Sequence, residues 1–180
     1  GRASFVHNLQ GLAVTVDTAC SSSLVGSYIG LQEVRRANAK NFISCGVNIM
    51  SSSDTTIMFQ SAGMLARDGR CKTMDMSADG YVRAEACRTI LLSSDPATQS
   101  GRYTSYLQAA AINQDWRSSS LTAPNGPAQQ GVMRAAVRQA GGTTVVHSLQ
   151  MHGTGTALGD PIEVGATSAV LGTQDSTLVL

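Results

Sequence analysis

Small residues set the tightest limit on what this chain can fold into. Of its 180 residues, 22 are Ala, 21 are Ser and 18 are Gly, about a third of the total, so its elements can approach closely and turn sharply. Such a composition suits helices laid on sheets better than a bundle of helices. The order of local patterns agrees. Ala13–Asp17 is a β-branched run after the turn former Gly11, and it predicts a strand leading straight into Cys20-Ser21-Ser22-Ser23, where small hydroxyl residues suit a helix start. Leu24, Tyr28, Leu31 and Val34 then recur at helical spacing, with Arg35, Arg36 and Lys40 near the end, where cations suit the helix dipole.

Further strands are predicted over Phe42–Met50, Arg88–Ser94, Thr104–Ile112 and Val145–Met151. Residues 51–80 predict a loop-dominated stretch with a short helix over Thr55–Met64. Asn113–Pro127 predicts a surface loop, because Pro124-Asn125-Gly126-Pro127 is turn chemistry. Ala128–Ala140 predicts a helix stopped by Gly141-Gly142, and Asp160-Pro161-Ile162-Glu163 predicts a helix entry with Asp160 as N-cap. The alternation of strands and helices predicts mostly parallel sheets covered by helices.

Charge excludes several functions. Thirteen Lys and Arg oppose twelve Asp and Glu, a net charge of +1 that leaves no electrostatic footprint for nucleic acid or a membrane surface. Charged residues are 14% and hydrophobic ones 42%, an interior-rich balance. The apolar runs are too short to cross a bilayer, so no transmembrane segment is expected. The chain opens on Gly1 without a signal-peptide pattern, and Leu178-Val179-Leu180 reads as an unfinished strand, so an excerpt of a longer protein is expected. Cys20, Cys45, Cys71 and Cys87 show no CxxC and no nearby His pair, and the expectation is reduced, intracellular thiols without metal.

Two segments can carry chemistry. In Val16-Asp17-Thr18-Ala19-Cys20-Ser21-Ser22-Ser23-Leu24 the cysteine falls at the predicted turn from strand to helix. There, free N–H groups and the helix dipole favour a thiolate and offer a donor to a thioester oxyanion. The competing reading is a small buried residue at a tight junction. The second segment, Met151-His152-Gly153-Thr154-Gly155-Thr156, closes a predicted strand 132 residues after Cys20. Carboxyl edges of α/β sheets are where ligands bind; His152 can polarise a carbonyl, and Thr154 and Thr156 supply hydroxyls. A glycine-rich turn with a hydrogen-bonded histidine explains the same residues. For Asp160 and Glu163 a capping box is the competing account.

Together the two segments resemble the β-ketoacyl synthase domain of the thiolase superfamily, specifically the ketosynthase of type I modular polyketide synthases. Between them the same order is kept by Cys45-Gly46-Val47-Asn48, Ala62-Gly63-Met64-Leu65, Asp68-Gly69-Arg70-Cys71-Lys72-Thr73, Ser77-Ala78-Asp79-Gly80-Tyr81, Asn113-Gln114-Asp115 and Leu121 to Gln129. The resemblance implies an α/β fold of the thiolase-like kind, a duplicated βαβαβ unit in α-β-α-β-α layers. Residues 1–180 would be the central fragment of one ketosynthase domain, the end of its first half and the start of its second.

The resemblance also implies an acyltransferase. Cys20 would receive an acyl chain from a thioester, and malonyl- or methylmalonyl-acyl carrier protein would then condense with it, losing CO₂. His152 would hydrogen-bond the extender carbonyl, Thr154 and Thr156 would contact the pantetheine arm, and Asp160 and Glu163 would structure the polar network behind His152. No cofactor is expected on the chain itself, because substrates ride on the phosphopantetheine of an acyl carrier protein. The implied partners are that carrier, a second copy in a homodimer, and flanking domains such as an acyltransferase. A cytoplasmic location is expected, or an organelle where a transit peptide precedes the chain. The second catalytic histidine, a lysine and the oxyanion-hole glycines would lie past Leu180, so residues 1–180 alone are expected to be inactive. The alternatives are a ketosynthase-like domain that only passes acyl chains along, and a non-catalytic dimer or scaffold homologue. Five positions depart from the family pattern: Val82, Ala84, Ala86 and Trp116 stand where glycine is usual, and Met74 where phenylalanine is. Val82 in particular would be strained if its position required positive φ.

Overall fold

The computed structural model describes residues 1–94, 105–120, 123–142 and 145–172. They form two compact units: Gly1–Asn48 with Ala86–Ala110, and Ile49–Glu85 with Ala111–Leu180.

The first unit holds helix α1 (Arg2–Val6), a short 3₁₀ turn (Ala19–Ser21), helix α2 (Ser22–Arg35) and strands β1 (Asn41–Asn48) and β2 (Ala86–Ser93). β1 and β2 pair antiparallel, with Ile43 opposite Leu91, Cys45 opposite Thr89 and Val47 opposite Cys87. The sequence predicts parallel sheets; the described pair is antiparallel, because α2 precedes the hairpin and packs on it rather than crossing between its strands. Phe42, Ser44 and Gly46 alternate onto the face that meets α2, where small helix residues take them in. A side chain on Gly30 would run into the Phe42 ring, and a Cβ on Gly46 would lie 3.0 Å from the Ser23 Cβ. Ser27 and Ser44 meet hydroxyl to hydroxyl at 3.4 Å. The inner face of α2 is thus its Ser-Gly face. Leu24, the first member of the predicted apolar stripe, is 73% exposed, while Leu31 is buried. On the other side of the hairpin, Thr89 Oγ1 donates to Cys45 Sγ at 3.3 Å, and a hydrogen bond with Cys45 holds the Cys87 thiol above its ordinary pKa.

The second unit contains α3 (Asp54–Ser61), α4 (Gly126–Gln139) and α5 (Gly159–Leu171). Asn125 caps α4, its side chain accepting from the Ala128 N–H at 3.1 Å, with Pro127 in the first turn. Helices α4 and α5 pack side by side, and Ala166, Thr167 and Leu171 are buried there with Asp160.

Three predicted strands are corrected. Ala13–Asp17 and residues 105–112 carry no regular structure, and 145–151 has only a single bridge residue; Thr104 lies outside the described residues. β-branched residues favour extended backbone, but a strand exists only where a neighbour completes its ladder, and none does among the described residues. The helix entry is corrected as well. α5 begins at Gly159 with Leu158 as N-cap, so Asp160 sits inside the first turn, and Thr156 Oγ1 takes the Gly159 N–H at 3.0 Å instead. Val82, Ala84 and Ala86 avoid the left-handed region and are unstrained, whereas Met74 and Trp116 adopt it at φ 59° and 58°.

Candidate active site

Cys20 belongs to the first unit and sits in the 3₁₀ turn immediately before α2. It is exposed, so the reading as a small buried residue is set aside. Short hydroxyl contacts build its surroundings. The Ala19 N–H donates to Asp17 Oδ1 at 3.2 Å, and the Thr18 N–H donates to Ser22 Oγ at 2.8 Å. Ser22 Oγ donates in turn to the Ala19 carbonyl at 2.6 Å, and Ser21 Oγ to the Thr18 carbonyl at 3.0 Å. Ala19 turns the chain at φ 56°, a left-handed conformation that a residue with a Cβ adopts at a cost of about 1–2 kcal/mol. The sulfur is therefore presented on a kinked turn whose polar groups are bound to one another.

His152, Thr154, Thr156, Asp160 and Glu163 are brought together in the second unit. α5 organises them with two carboxylates. Glu163 Oε1 accepts the His152 N–H at 2.7 Å and Oε2 accepts the Gly153 N–H at 3.0 Å. Asp160, only 3% exposed, accepts the Gly155 N–H at 3.1 Å with one oxygen and the Met74 N–H at 2.8 Å with the other. Three amides of the irregular 152–155 segment, and that of Met74 from another segment, are thereby satisfied by two carboxylates. The helix dipole adds a reason for both acids to stand in the first turns of α5. Thr154 and Thr156 hydroxyls lie 3.3 Å apart.

The segment from Lys72 to Gly80 wraps the same loop. Thr73 Oγ1 donates to the Gly153 carbonyl at 2.5 Å, and the Gly80 N–H donates to the Gly155 carbonyl at 3.0 Å. The approach is close enough that glycine is required: Gly153 has φ 51° and Gly155 φ 72°, and a Cβ on Gly155 would lie 2.8 Å from the Lys72 nitrogen. Lys72 is itself anchored by Asp79 at 2.6 Å and Asp68 at 3.3 Å. Its hydrogen bond to Asp79 holds the lysine above its ordinary pKa and the Asp79 carboxyl below its own. Sequence reasoning does not single out Thr73 and Gly80 as partners of this loop. Nothing in local spacing links Thr73 to a loop 80 positions away.

The chain matches the family model "Beta-ketoacyl synthase, N-terminal domain" over residues 1–97 and "Beta-ketoacyl synthase, C-terminal domain" over 104–180. It belongs to the β-ketoacyl synthase family. It is 44% identical over 175 residues to pikromycin polyketide synthase component PikAII of Streptomyces venezuelae, covering 96% of this chain and 5% of that protein. Against erythronolide synthase EryA3 of Saccharopolyspora erythraea it is 42% identical over 177 residues, covering 97% of this chain and 6% of the relative. Among solved structures, the ketosynthase from module 6 of the bacillaene synthase of Bacillus subtilis 168 matches with a TM-score of 0.88 at 33% identity, over 95% of this chain and 32% of that one. The ketosynthase domain OzmH KS7 of the Streptomyces albus JA3453 oxazolomycin system matches with a TM-score of 0.89 at 28% identity, over 99% and 34%. The chain thus spans about a third of those ketosynthase structures and a small part of the curated relatives. Its fold is the α/β fold of ketosynthases, thiolase-like and partial.

Proposed function

We propose that this chain carries part of the condensing site of a polyketide ketosynthase. The observation that supports this most is the pair of hydrogen bonds that the His152 and Gly153 N–H groups donate to the Glu163 carboxylate. It fixes the backbone that bears the histidine, and a group that must meet a developing charge works best when it is held in advance. In this reading the Cys20 thiol gives up its proton as its sulfur attacks the carbonyl of an acyl thioester, the bond to the pantetheine sulfur breaks, and that sulfur takes up the proton and leaves as a thiol. A malonyl or methylmalonyl thioester then loses CO₂, and its enolate oxygen is hydrogen-bonded by His152. The enolate carbon forms the new C–C bond with the acyl carbon on Cys20, whose sulfur leaves as thiolate. Thr154 and Thr156 contact the pantetheine arm, and Asp160 and Glu163 act as positioning residues through the loop backbone. The substrates arrive on the phosphopantetheine of an acyl carrier protein, so the chain itself needs no cofactor.

The same reading gives the partners: an acyl carrier protein, a second ketosynthase copy, and flanking domains such as an acyltransferase, in the cytoplasm. Among the described residues no helix is long and apolar enough to cross a membrane. The second histidine that such chemistry uses, with its lysine and oxyanion-hole glycines, would stand past Leu180, and residues 1–180 alone would be inactive. The presence of Cys20 at the turn speaks against a purely structural homologue, which has no use for an exposed thiol there.

The test uses the complete ketosynthase containing this sequence. It is incubated with an acyl thioester, then with malonyl-acyl carrier protein, and followed by intact-protein mass spectrometry beside Cys20→Ala. Cys20-dependent acylation followed by a β-ketoacyl product is the expected result. Acylation without condensation would replace it with the transfer-only activity, and no Cys20-dependent acylation would overturn both.

A further inference from the structure

The successive peptide planes from Met151 to Thr156 are each tied to a group outside the loop. Glu163 takes the N–H of His152 and of Gly153, Asp160 takes that of Gly155, and the Gly80 N–H meets the Gly155 carbonyl. The plane between Gly153 and Thr154 is held by the Thr73 hydroxyl, which donates to the Gly153 carbonyl at 2.5 Å. This is the plane with the most freedom to turn. Gly153 sits at φ 51°, and a residue without a Cβ offers little resistance to rotation of the peptide that follows it.

Thr73 can do this because its own segment is fixed on both sides. Lys72 Nζ lies 2.6 Å from Asp79 Oδ1, and the Met74 N–H donates to Asp160 Oδ2 at 2.8 Å. The other oxygen of Asp160 takes the Gly155 N–H, so the two segments share one anchor. The threonine also meets the loop with its methyl group: a Cβ on Gly153 would lie 2.9 Å from Thr73 Cγ2. A β-branched side chain has few χ1 choices, and against a glycine the hydroxyl keeps its direction. The held peptide leads into Thr154, which is half-buried. Its hydroxyl lies 3.3 Å from Thr156 Oγ1, which already accepts the Gly159 N–H. A hydroxyl offers one proton and two lone pairs, so Thr154 retains capacity for a ligand group.

We infer that Thr73 is a positioning residue for the pantetheine arm: its hydroxyl fixes the Gly153–Thr154 peptide and so aims the Thr154 hydroxyl. The inference rests on the ketosynthase reading and gives Thr73 no contact with the substrate. Glu163 holds the two planes at His152 and serves the chemical step. Thr73 holds the plane beyond them and serves the grip on the arm. Loss of its hydroxyl therefore raises the KM of the extender thioester and leaves kcat nearly unchanged.

The test measures condensation by the complete ketosynthase, acylated on Cys20, over a range of malonyl-pantetheine concentrations. Thr73→Val keeps the shape and loses the hydroxyl, and Thr73→Ser keeps the hydroxyl. Thr73→Ala takes the place of the valine variant if that one folds poorly. The expected result is a KM roughly fivefold higher in Thr73→Val, the loss of one hydrogen bond, with kcat within about twofold of wild type and recovery in Thr73→Ser. Thr73→Val combined with Thr154→Val is expected to match Thr154→Val alone, because residues that act through one hydroxyl are not additive. An unchanged KM, no recovery with serine, or additive losses in the double variant overturns the role of Thr73 and leaves the ketosynthase reading standing. A fall in kcat as large as the rise in KM assigns the hydroxyl to the loop as a whole and overturns the inference as well. Absence of a β-ketoacyl product from wild type removes both.

Discussion

The Cys20 turn and the His152 loop are both irregular segments at the start of a helix, yet they are built by opposite means. The side-chain hydrogen bonds of the Cys20 turn join residues at most four apart and are made by Ser, Thr and Asp side chains within the turn itself. The His152 loop is held from outside: Glu163 and Asp160 reach it from α5, and Thr73 and Gly80 reach it from a segment some eighty positions away in sequence. A turn that carries its own support can be written as a continuous motif. A loop supported from elsewhere depends on the packing of its unit, and a change well outside the motif can disarm it.

The largest expected effect tests that dependence. Glu163→Gln keeps size and shape but replaces one acceptor oxygen with an NH₂ group facing a backbone N–H. A hydrogen bond to a charged partner contributes about 1.5–3 kcal/mol, and an unsatisfied N–H adds to the deficit. Condensation by the complete ketosynthase is therefore expected to fall roughly tenfold to a hundredfold, while acylation of Cys20 stays within about threefold of wild type. Single-turnover mass spectrometry separates the two steps. Equal losses in both would erase the contrast between the two regions.

Next in size is Gly155→Ala. The residue must keep φ 72° and would place a Cβ 2.8 Å from the Lys72 nitrogen, a backbone atom that cannot step aside cheaply. Overpacking and left-handed strain together suggest about 2–4 kcal/mol, read as a lower Tm and a loss of condensation. The matching change at the other site is milder. Ser22→Ala removes the bonds to the Thr18 N–H and the Ala19 carbonyl, comparable to losing a cap, about 1 kcal/mol. Slower acylation by roughly fivefold, with condensation of pre-acylated enzyme unchanged, is the expected outcome.

The same contrast explains what could be read from the residues alone. The helix starts at Ser22 and Gly126, the β1 and β2 runs, and the Cys20 turn chemistry are local, and they are legible within one or two residues. His152, Thr154, Thr156, Asp160 and Glu163 were legible as a group through their likeness to a family and through the glycines at 153 and 155. What Asp160 and Glu163 hold was not. A capping box and a loop clamp use the same residue types at the same spacing, and only the tertiary position of the 152–155 amides and of Met74 separates them. The predicted strands at 13–17 and 145–151 failed for a related reason, since propensity describes one chain segment and pairing requires two. The antiparallel hairpin was hidden because α3, the helix lying between β1 and β2 in sequence, belongs to the other unit.

The smallest effect probes the outer support of the loop through pH. Lys72 bonds Asp79 at 2.6 Å and Asp68 at 3.3 Å, next to the backbone nitrogen that packs on Gly155. The hydrogen bond from Lys72 is the main cause that lowers Asp79 below its ordinary 3.8. A depressed carboxyl contributes stability that is fully present above its unfolded value and is lost as pH falls through its folded one. The lysine is raised above 10.5, chiefly by Asp79, so its contribution is present below that value and is lost only as pH rises through the higher folded one. Between these limits the pair is intact, and near neutrality its worth is modest because the partners are in part solvated. Asp79→Asn should therefore lower the Tm of the complete ketosynthase slightly at pH 7, and the difference from wild type should shrink as the pH falls from 3.8 through the lower folded value, where the wild-type carboxyl also becomes neutral. Raised salt should shrink it too. The bonds of the Cys20 turn join hydroxyls and backbone groups, apart from the one to Asp17, so acylation should be the less salt-sensitive of the two half-reactions when the acyl donor is uncharged.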